Sequence, residues 1–190
     1  MPIQFNDISQ YKPGDILISE TAIKKRLQIL AAQMAKDYAK KNLLIITVMK
    51  GSFMVLADLI RELHTAGLED FSVSAVTVGS YSGTQSNRKP RFKHEIDIDA
   101  ANRHILLVED IVDTGHTLQF VMKELSKRNP ASIECFSLLS KPSRREVTID
   151  AKYVGFVIPN VWIQGYGLDT DEYGRGNPNI IVGPVKPSHA

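Results

Sequence analysis

Residues 104–118 read HILLVEDIVDTGHTL, and this stretch decides the fold. Its apolar beginning, HILLV, is typical of a β-strand buried on both faces of a parallel sheet. The adjacent acids Glu109 and Asp110 end that run, and Asp113 follows after two apolar residues. Thr-Gly-His-Thr at 114–117 then opens a helical pattern. The stretch therefore predicts a strand, a polar turn and a helix in succession.

The turn at 114–117 is suited to holding a phosphate. Its main-chain N–H groups would point into a helix N-terminus, where both the donors and the helix dipole favour an anion. Thr114 and Thr117 would add hydroxyl donors. A simpler interpretation is that Asp113 or Thr114 only caps the helix.

Capping does not explain why Glu109 and Asp110 stand side by side at the end of a buried strand. Neighbouring carboxylates repel each other and raise each other's pKa. A vicinal diol would explain the pair, because the two ribose hydroxyls can donate to two acids. The residues alone therefore predict a sugar-phosphate site. The motif is neither G-x-x-x-x-G-K-[ST] nor G-x-G-x-x-G, which disfavours a Walker hydrolase and a dinucleotide site.

The rest of the chain alternates between apolar runs and amphipathic segments, which predicts an α/β fold with a mainly parallel sheet flanked by helices. We predict helices at 20–41, 53–67 and 117–129, and strands at 43–49, 71–81, 104–110, 132–139 and 153–158. The polar stretch 82–103 is predicted to be a long loop, either disordered or a functional lid. Its basic cluster, NRKPRFKH at 87–94, is interpreted as part of a solvated loop.

Composition limits the function classes. The 190 residues carry 23 Lys and Arg against 21 Asp and Glu, so the net charge of +2 argues against a broad nucleic-acid surface. The lone Cys135 lies in an apolar run and is interpreted as a buried small hydrophobe. The five histidines form no pair at metal-ligand spacing, which disfavours a zinc site. We see no signal peptide and no apolar run long enough to cross a membrane, and we expect a cytoplasmic protein.

The segment VEDIVDTGHTL (108–118) resembles the phosphoribosyl pyrophosphate (PRPP) signature of the type I phosphoribosyltransferases. Four further segments narrow the resemblance to the hypoxanthine-guanine phosphoribosyltransferase family. They are VMKGSFM (48–54), GSYSGTQSNRK (79–89), LLSKPSRR (138–145) and IPNVWIQGYGLDTDEYGR (158–175). The resemblance covers about residues 10–182 and implies one domain over 1–190, with a core of about 20–160 and a hood from about 1–19 and 160–190.

The resemblance implies a role for each matching residue. The 5′-phosphate would be held by Asp113, Thr114, Gly115, His116 and Thr117, with His116 contributing its backbone and facing outward. Asp113 would also be the catalytic proton acceptor. Glu109 and Asp110 would bind the ribose of PRPP. Pyrophosphate would be bound by Lys50, Gly51 and Arg175, with a cis peptide at Met49–Lys50, and Ser80 and Tyr81 would belong to a mobile catalytic loop.

The purine site follows from the same resemblance. Lys141 would donate to the 6-oxo group, Trp162 would stack on the base, and Val161, Ile163 and Asp169 would complete the pocket. Glu109, Asp110 and Asp169 are the implied Mg²⁺ ligands. The implied reaction transfers the phosphoribosyl group of PRPP to hypoxanthine or guanine. We expect these small-molecule substrates, a homodimer or homotetramer, and neither a nucleic acid nor a membrane as partner.

Two other classes remain open at this point. A phosphoribosyltransferase for adenine, orotate or uracil would share the PRPP signature but lack the set of Lys141, Trp162 and Asp169. A PRPP-sensing regulator would use the fold for binding alone, and it would need a DNA-binding module. The residues before Gly14 are too few to form one.

Overall fold

The structure, a computed structural model, describes residues 1–80 and 90–185. Its helices are α1 (Glu20–Asp37), α2 (Phe53–Thr65) and α3 (His116–Ser126), with a 3₁₀ turn at Pro142–Arg144. Its strands are β1 (Ile3–Gln4), β2 (Ile16–Ile18), β3 (Leu43–Met49), β4 (Phe71–Ser80), β5 (Pro90–His94), β6 (His104–Val112), β7 (Ser132–Ser140), β8 (Tyr153–Val157), β9 (Ile163–Gln164) and β10 (Ile180–Val182).

Seven strands form the central sheet in the order β1-β8-β7-β6-β3-β4-β5. Every neighbouring pair is parallel except β4 and β5, which are antiparallel. Buried residues of α1 and α2 pack on one face, and those of α3 pack on the other. The predicted α/β fold with a mainly parallel sheet is therefore confirmed. A second, antiparallel sheet has the order β2-β10-β9.

Helix α1 is fixed at its start and in its middle. The Ser19 hydroxyl caps it by accepting from the Ala22 amide at 3.2 Å. Arg26 is buried and donates from Nε to the Gly155 carbonyl at 2.9 Å and from its terminal nitrogen to the Val154 carbonyl at 2.7 Å. A buried charge of this kind persists only when it is hydrogen-bonded, so Arg26 ties α1 to strand β8, next to the edge strand β1.

The parallel arrangement brings the site together. The carboxyl ends of β3, β6 and β7 lie at one edge of the sheet, where the chain leaves each strand into residues 50–52, 113–115 and 141–145. Strand β8 ends at the same edge and leads into 158–162. Ligands of open α/β sheets bind at this edge because the connecting loops collect there.

Two local predictions were wrong. Residues 90–94 form the edge strand β5 instead of continuing the predicted loop, since they pair with the end of β4. The acids Glu109 and Asp110 do not end their strand, since β6 continues through them to Val112.

The division into a single domain with a hood stays a prediction. Among the described residues, no helix has both the length and the apolar character needed to span a bilayer.

Candidate active site

The turn between β6 and α3 depends on one glycine. Gly115 has φ +93°, and a Cβ there would lie 2.8 Å from Ile149 Cγ2 and 2.9 Å from Val147 Cγ2. Gly115 is the N-cap of α3, and no side chain caps the helix. The interpretation of Asp113 or Thr114 as a capping side chain is therefore wrong. The first-turn amides of α3 have no intrahelical partners, which is the property that suits this helix end to an anion.

The other residues of this turn contact the segment after β7 or line a small cavity. The main-chain carbonyl of Thr114 accepts from the Glu146 amide at 3.0 Å, which holds the turn against the segment after β7. His116 is exposed, and its Nε2 lies 2.9 Å from Glu146 Oε2. The expected outward direction of the His116 side chain is thus confirmed. Thr117 lines a small cavity with Glu109, Asp113 and Gly115.

The two adjacent acids of β6 reach different parts of the site. Successive side chains of a strand point to opposite faces of the sheet. Glu109 is 6% exposed and lines the cavity beside the turn at 114–117, the candidate phosphate turn. The Asp110 carboxylate lies against Gly51, and its Oδ1 accepts from the Ile111 amide at 2.8 Å. Strand geometry thus separates the two carboxylates and explains how a buried strand tolerates them in succession.

Burial perturbs both acids. Burial, followed by the charge of Asp110, raises the pKa of Glu109 well above its usual range. Burial raises the pKa of Asp110 to about 6, and the charge of Asp169 acts in the same direction. The Ile111 hydrogen bond and the charge of Arg175 oppose that rise. Carboxyl groups whose pKa values are raised in a cleft are typical of functional sites.

The loop after β3 interlocks with its surroundings through two glycines. A Cβ on Gly51 would lie 1.7 Å from Asp110 Oδ2, and a Cβ on Gly167 would lie 1.9 Å from the Gly51 carbonyl oxygen. A side chain at Gly167 would collide with backbone, and a side chain at Gly51 would have to displace the Asp110 carboxylate. The Met49–Lys50 peptide is cis, as the resemblance implied. Lys50 itself is exposed, and its Nζ is 3.1 Å from Glu172 Oε1.

Arg175 organises the segment that faces this loop. It donates to the Gly167 carbonyl at 2.8 Å and to the carboxylates of Asp169 and Glu172, each at 2.8 Å. Asp169 Oδ2 also accepts from the Glu172 amide at 2.9 Å. Within residues 1–80 and 90–185, Arg175 Nε is buried without a hydrogen-bond partner. Lys50, Gly51, Asp169 and Arg175 therefore share one end of the cleft.

A second pocket adjoins the phosphate turn. Its wall is formed by Ile111, Asp113, Lys141, Arg144, Asn160, Val161, Trp162, Ile163, Leu168 and Asp169. Lys141 is 7% exposed, and its Nζ lies 3.7 Å from Asp113 Oδ2. Burial lowers the pKa of Lys141, and the charge of Asp113 opposes this. Trp162 is 57% exposed and presents its indole to the pocket rim instead of the core.

The sequence and the fold have known relatives. A model of the phosphoribosyl transferase domain matches residues 15–171. The hypoxanthine phosphoribosyltransferase of Haemophilus influenzae is 40% identical over 176 residues, which cover 90% of this chain and 94% of that protein. The chain belongs to the phosphoribosyltransferase family.

Further relatives agree with this assignment. The hypoxanthine-guanine phosphoribosyltransferase of Streptococcus pneumoniae is 39% identical over 178 residues, which cover 93% of this chain and 94% of that protein. The crystal structure of a hypoxanthine phosphoribosyltransferase from Staphylococcus aureus matches with a TM-score of 0.83 at 35% identity, covering 94% of this chain and 95% of that one. The chain thus has the type I phosphoribosyltransferase fold, and its relatives lie in the hypoxanthine-guanine branch of the family.

Two residues of the phosphoribosyltransferase site were missed by sequence reasoning. Arg144 contacts Asp113 Oδ1 through Nε at 3.1 Å, so Asp113 lies between two cations. Arg145 donates to the Asp113 carbonyl at 2.5 Å and to the Ser140 hydroxyl at 2.9 Å, which anchors the turn to the end of β7. The only signal was the pair of arginines in KPSRR, which resembles an ordinary solvated cluster. Of the loop residues Ser80 and Tyr81, Ser80 ends β4 and Tyr81 lies outside the described residues.

The acidic side chains of the site could supply part of a Mg²⁺ coordination shell. Within residues 1–80 and 90–185, no group of three or more His, Cys, Asp or Glu side chains could hold a metal by itself. Glu109, Asp110 and Asp169 accordingly do not form a metal site made of protein ligands alone. Mg²⁺ usually takes only one or two carboxylates and completes its shell with substrate oxygens and water. The neighbouring charges of Asp110 and Asp169 suit that kind of site.

We predict that Glu109→Gln stabilises the substrate-free protein in a pH-dependent way. Below about pH 4.5 the carboxyl is protonated in both the folded and the unfolded state, so the variant and parent should have similar melting temperatures. As pH rises, the unfolded state loses the proton first, and the parent loses about 1.4 kcal/mol of stability per pH unit until the raised pKa is passed. Glutamine resembles the neutral acid and avoids this loss.

Thermal unfolding of both proteins between pH 4 and pH 8 in metal-free buffer checks this. The variant should melt higher at pH 8, by roughly 2–4 °C for each kcal/mol. Asp70→Asn, which alters an exposed acid before β4, is the matched control and should show no such divergence. A pH-independent difference for Glu109→Gln would contradict the raised pKa of this buried acid.

Proposed function

We propose that this chain transfers the phosphoribosyl group of PRPP to hypoxanthine or guanine, giving IMP or GMP and pyrophosphate. The observation that carries the proposal is the placement of buried Lys141 beside Asp113 in one pocket with Trp162. That pocket directly adjoins a phosphate-type turn, so a base and a sugar phosphate could bind together. The names of the bacterial relatives support the same substrates.

Lys141 supports the choice of a 6-oxopurine. An ammonium group has three donors and no acceptor, so it can pair with the 6-oxo group but not with the 6-amino group of adenine. Its burial strengthens the selection, because an unpaired polar group in a dry pocket costs free energy that an exposed one would not. Val161 and Ile163 flank Trp162 at the pocket wall and are proposed to contact the edge of the base.

The ribose phosphate is proposed to span the region between the pocket and the pyrophosphate end. Amides and hydroxyls of residues 113–117, including the His116 amide, would hold the 5′-phosphate. Glu109 and Asp110 would accept hydrogen bonds from the ribose hydroxyls. Lys50, the Gly51 amide and Arg175 would hold the pyrophosphate. Held in this way, C1′ would face the purine nitrogen, and such positioning accelerates a reaction between two bound partners.

The chemical step replaces one bond to C1′ with another. The purine N9 forms the new bond to C1′ while the bond from C1′ to the pyrophosphate oxygen breaks. The purine then loses its N7 proton, and Asp113 is proposed to accept it because its carboxylate faces the base pocket. Lys141 and Arg144 lie beside that carboxylate. Enclosure of the site would exclude water that could otherwise hydrolyse PRPP.

Mg²⁺ is the proposed cofactor. Asp110 and Asp169, with Glu109 on the adjacent strand position, would hold it together with substrate oxygens. When bound, the ion would neutralise charge on the departing pyrophosphate. We further propose a cytoplasmic homodimer or homotetramer with neither nucleic acid nor membrane as partner, consistent with the balanced net charge of +2.

A base panel tests the proposed function directly. Pyrophosphate release from PRPP should be rapid with hypoxanthine and guanine. With adenine, orotate or uracil, kcat/KM should be at least about 100-fold lower, because these bases leave the donor Lys141 unpaired or leave the purine pocket unfilled. Lys141→Met, which keeps the apolar stem, should lose use of both 6-oxopurines without a matching rise in the KM for PRPP.

The panel also separates the alternatives. Preferred use of adenine, orotate or uracil would assign the chain to a different phosphoribosyltransferase. PRPP binding without pyrophosphate release from any base would indicate a sensing role. Either result would contradict the proposed transfer to 6-oxopurines.

Asp113→Asn should lower kcat by about 100- to 10,000-fold, the usual contribution of a general base. The KM for PRPP should change little, since asparagine keeps the backbone of the phosphate turn. Steady-state kinetics with both substrates varied measures this. Glu146→Gln alters an acid on the outer side of the same turn and should retain the parent kcat. A kcat within about twofold of the parent for Asp113→Asn would remove Asp113 from the proton transfer.

A further inference from the structure

Trp162 is held at its nitrogen. Although the side chain is 57% exposed, its Nε1 donates a 2.8 Å hydrogen bond to Oγ1 of Thr170, a residue that is only 6% exposed. The indole has one polar atom, and that atom can only donate. The polar edge of the ring is therefore bound to a buried acceptor, while more than half of the side chain stays exposed at the pocket.

The hydrogen bonds continue beyond Thr170. Its hydroxyl has a single hydrogen and lies 3.2 Å from Gln164 Oε1, an atom that also accepts from the Val185 amide at 2.8 Å. The Val185 amide can only donate, which fixes the orientation of the Gln164 amide, and Gln164 is 4% exposed. The donor directions therefore run one way, from Trp162 through Thr170 to Gln164.

The acceptor itself lies on a fixed backbone. Thr170 and Tyr173 exchange two main-chain hydrogen bonds, each 3.0 Å long. Near the same edge of the indole, the Gly183 amide donates to the Trp162 carbonyl at 2.9 Å. A Cβ on Gly183 would lie 2.9 Å from Trp162 Cδ1, so the backbone there closes against the ring edge. The indole is bounded on one edge and hydrogen-bonded at its nitrogen.

We propose that Thr170 is a positioning residue for base recognition, holding the plane of the Trp162 indole so that its open face meets the purine. This inference rests on the proposed function, since it takes Trp162 to be the stacking platform. A free indole would populate several rotamers about χ1 and χ2, and ordering it on binding would weaken the affinity for the base. The hydrogen bond to Thr170 fixes the indole conformation before the base binds.

The test compares Thr170→Val, which removes the hydroxyl at nearly constant shape, with Thr170→Ser, which keeps it. Thr170→Val should raise the KM for hypoxanthine about 3- to 10-fold, the range expected for ordering one side chain on binding, with the KM for PRPP nearly unchanged. Trp162 is the only tryptophan of the chain, so its fluorescence anisotropy reports the indole alone. The anisotropy should fall in Thr170→Val and be restored in Thr170→Ser.

A double-mutant cycle isolates the hydrogen bond. Phenylalanine at position 162 keeps an aromatic face but has no nitrogen. Adding Thr170→Val to Trp162→Phe should therefore change the hypoxanthine KM no further. An equal rise in both backgrounds, or equal KM values for Thr170→Val and Thr170→Ser, would overturn the positioning role.

Trp162→Ala separates this inference from the proposed function. If it raises the hypoxanthine KM while Thr170→Val does not, the stacking role stands and only the role of Thr170 is overturned. If Trp162→Ala leaves the hypoxanthine KM unchanged, the stacking assignment fails and the inference fails with it. A rise with both Trp162→Ala and Thr170→Val, and none with Thr170→Ser, is the result expected.

Discussion

The contact between Gly51 and the Asp110 carboxylate is the constraint on which the site depends. It holds the loop after β3 against an acid of β6, and Gly167 lies so near this loop that a Cβ there would be 1.9 Å from the Gly51 carbonyl oxygen. Three segments far apart in the sequence are thereby packed against one another, with only the Asp110 side chain between β6 and Gly51. The backbone can approach this closely only because two of the three contact positions lack a Cβ.

This packing brings charged residues together at the carboxyl ends of the parallel strands. Glu109 and Asp110 are carboxyls whose pKa values are raised mainly by burial, and Lys141 is a lysine whose pKa is lowered by burial. Burial thus moves the pKa values of groups of both signs toward their neutral forms within one cleft. Such an arrangement reduces the stability of the free protein, and proteins commonly retain it where a charged ligand supplies the missing partners.

Much of the fold could be predicted because its signals are local. Buried strands such as β3 and β6 are continuous apolar runs in the sequence. The Thr-Gly-His-Thr turn contains Gly115, whose positive φ is a conformation that favours glycine. Strand β5 was missed because its basic residues resemble a solvated loop, and its pairing with β4 is a tertiary contact. Strands of two or three residues, such as β9, are too short to show an alternation of apolar and polar residues.

The candidate site could be predicted in outline and not in its supporting contacts. The acids and the turn stand together in the sequence, so their proximity needed no model of the fold. Arg144 contacts Asp113, which lies 31 residues earlier in the sequence. Nothing in the sequence around either residue indicates this contact. The hydrogen bond from Trp162 to Thr170 spans eight residues through a turn with no repeating pattern. Contacts of this kind depend on the path of the backbone and become visible only in three dimensions.

The central claim is that one ligand is divided among three parts of this edge: phosphate at the turn, ribose at the acids, and base at Lys141 and Trp162. A crystal structure of the protein with GMP tests it most directly. Phosphate oxygens should lie within about 3 Å of the amides of 114–117, and the 6-oxo group should lie within about 3 Å of Lys141 Nζ. A phosphate bound away from that turn, or a base outside the pocket of Lys141 and Trp162, would contradict it.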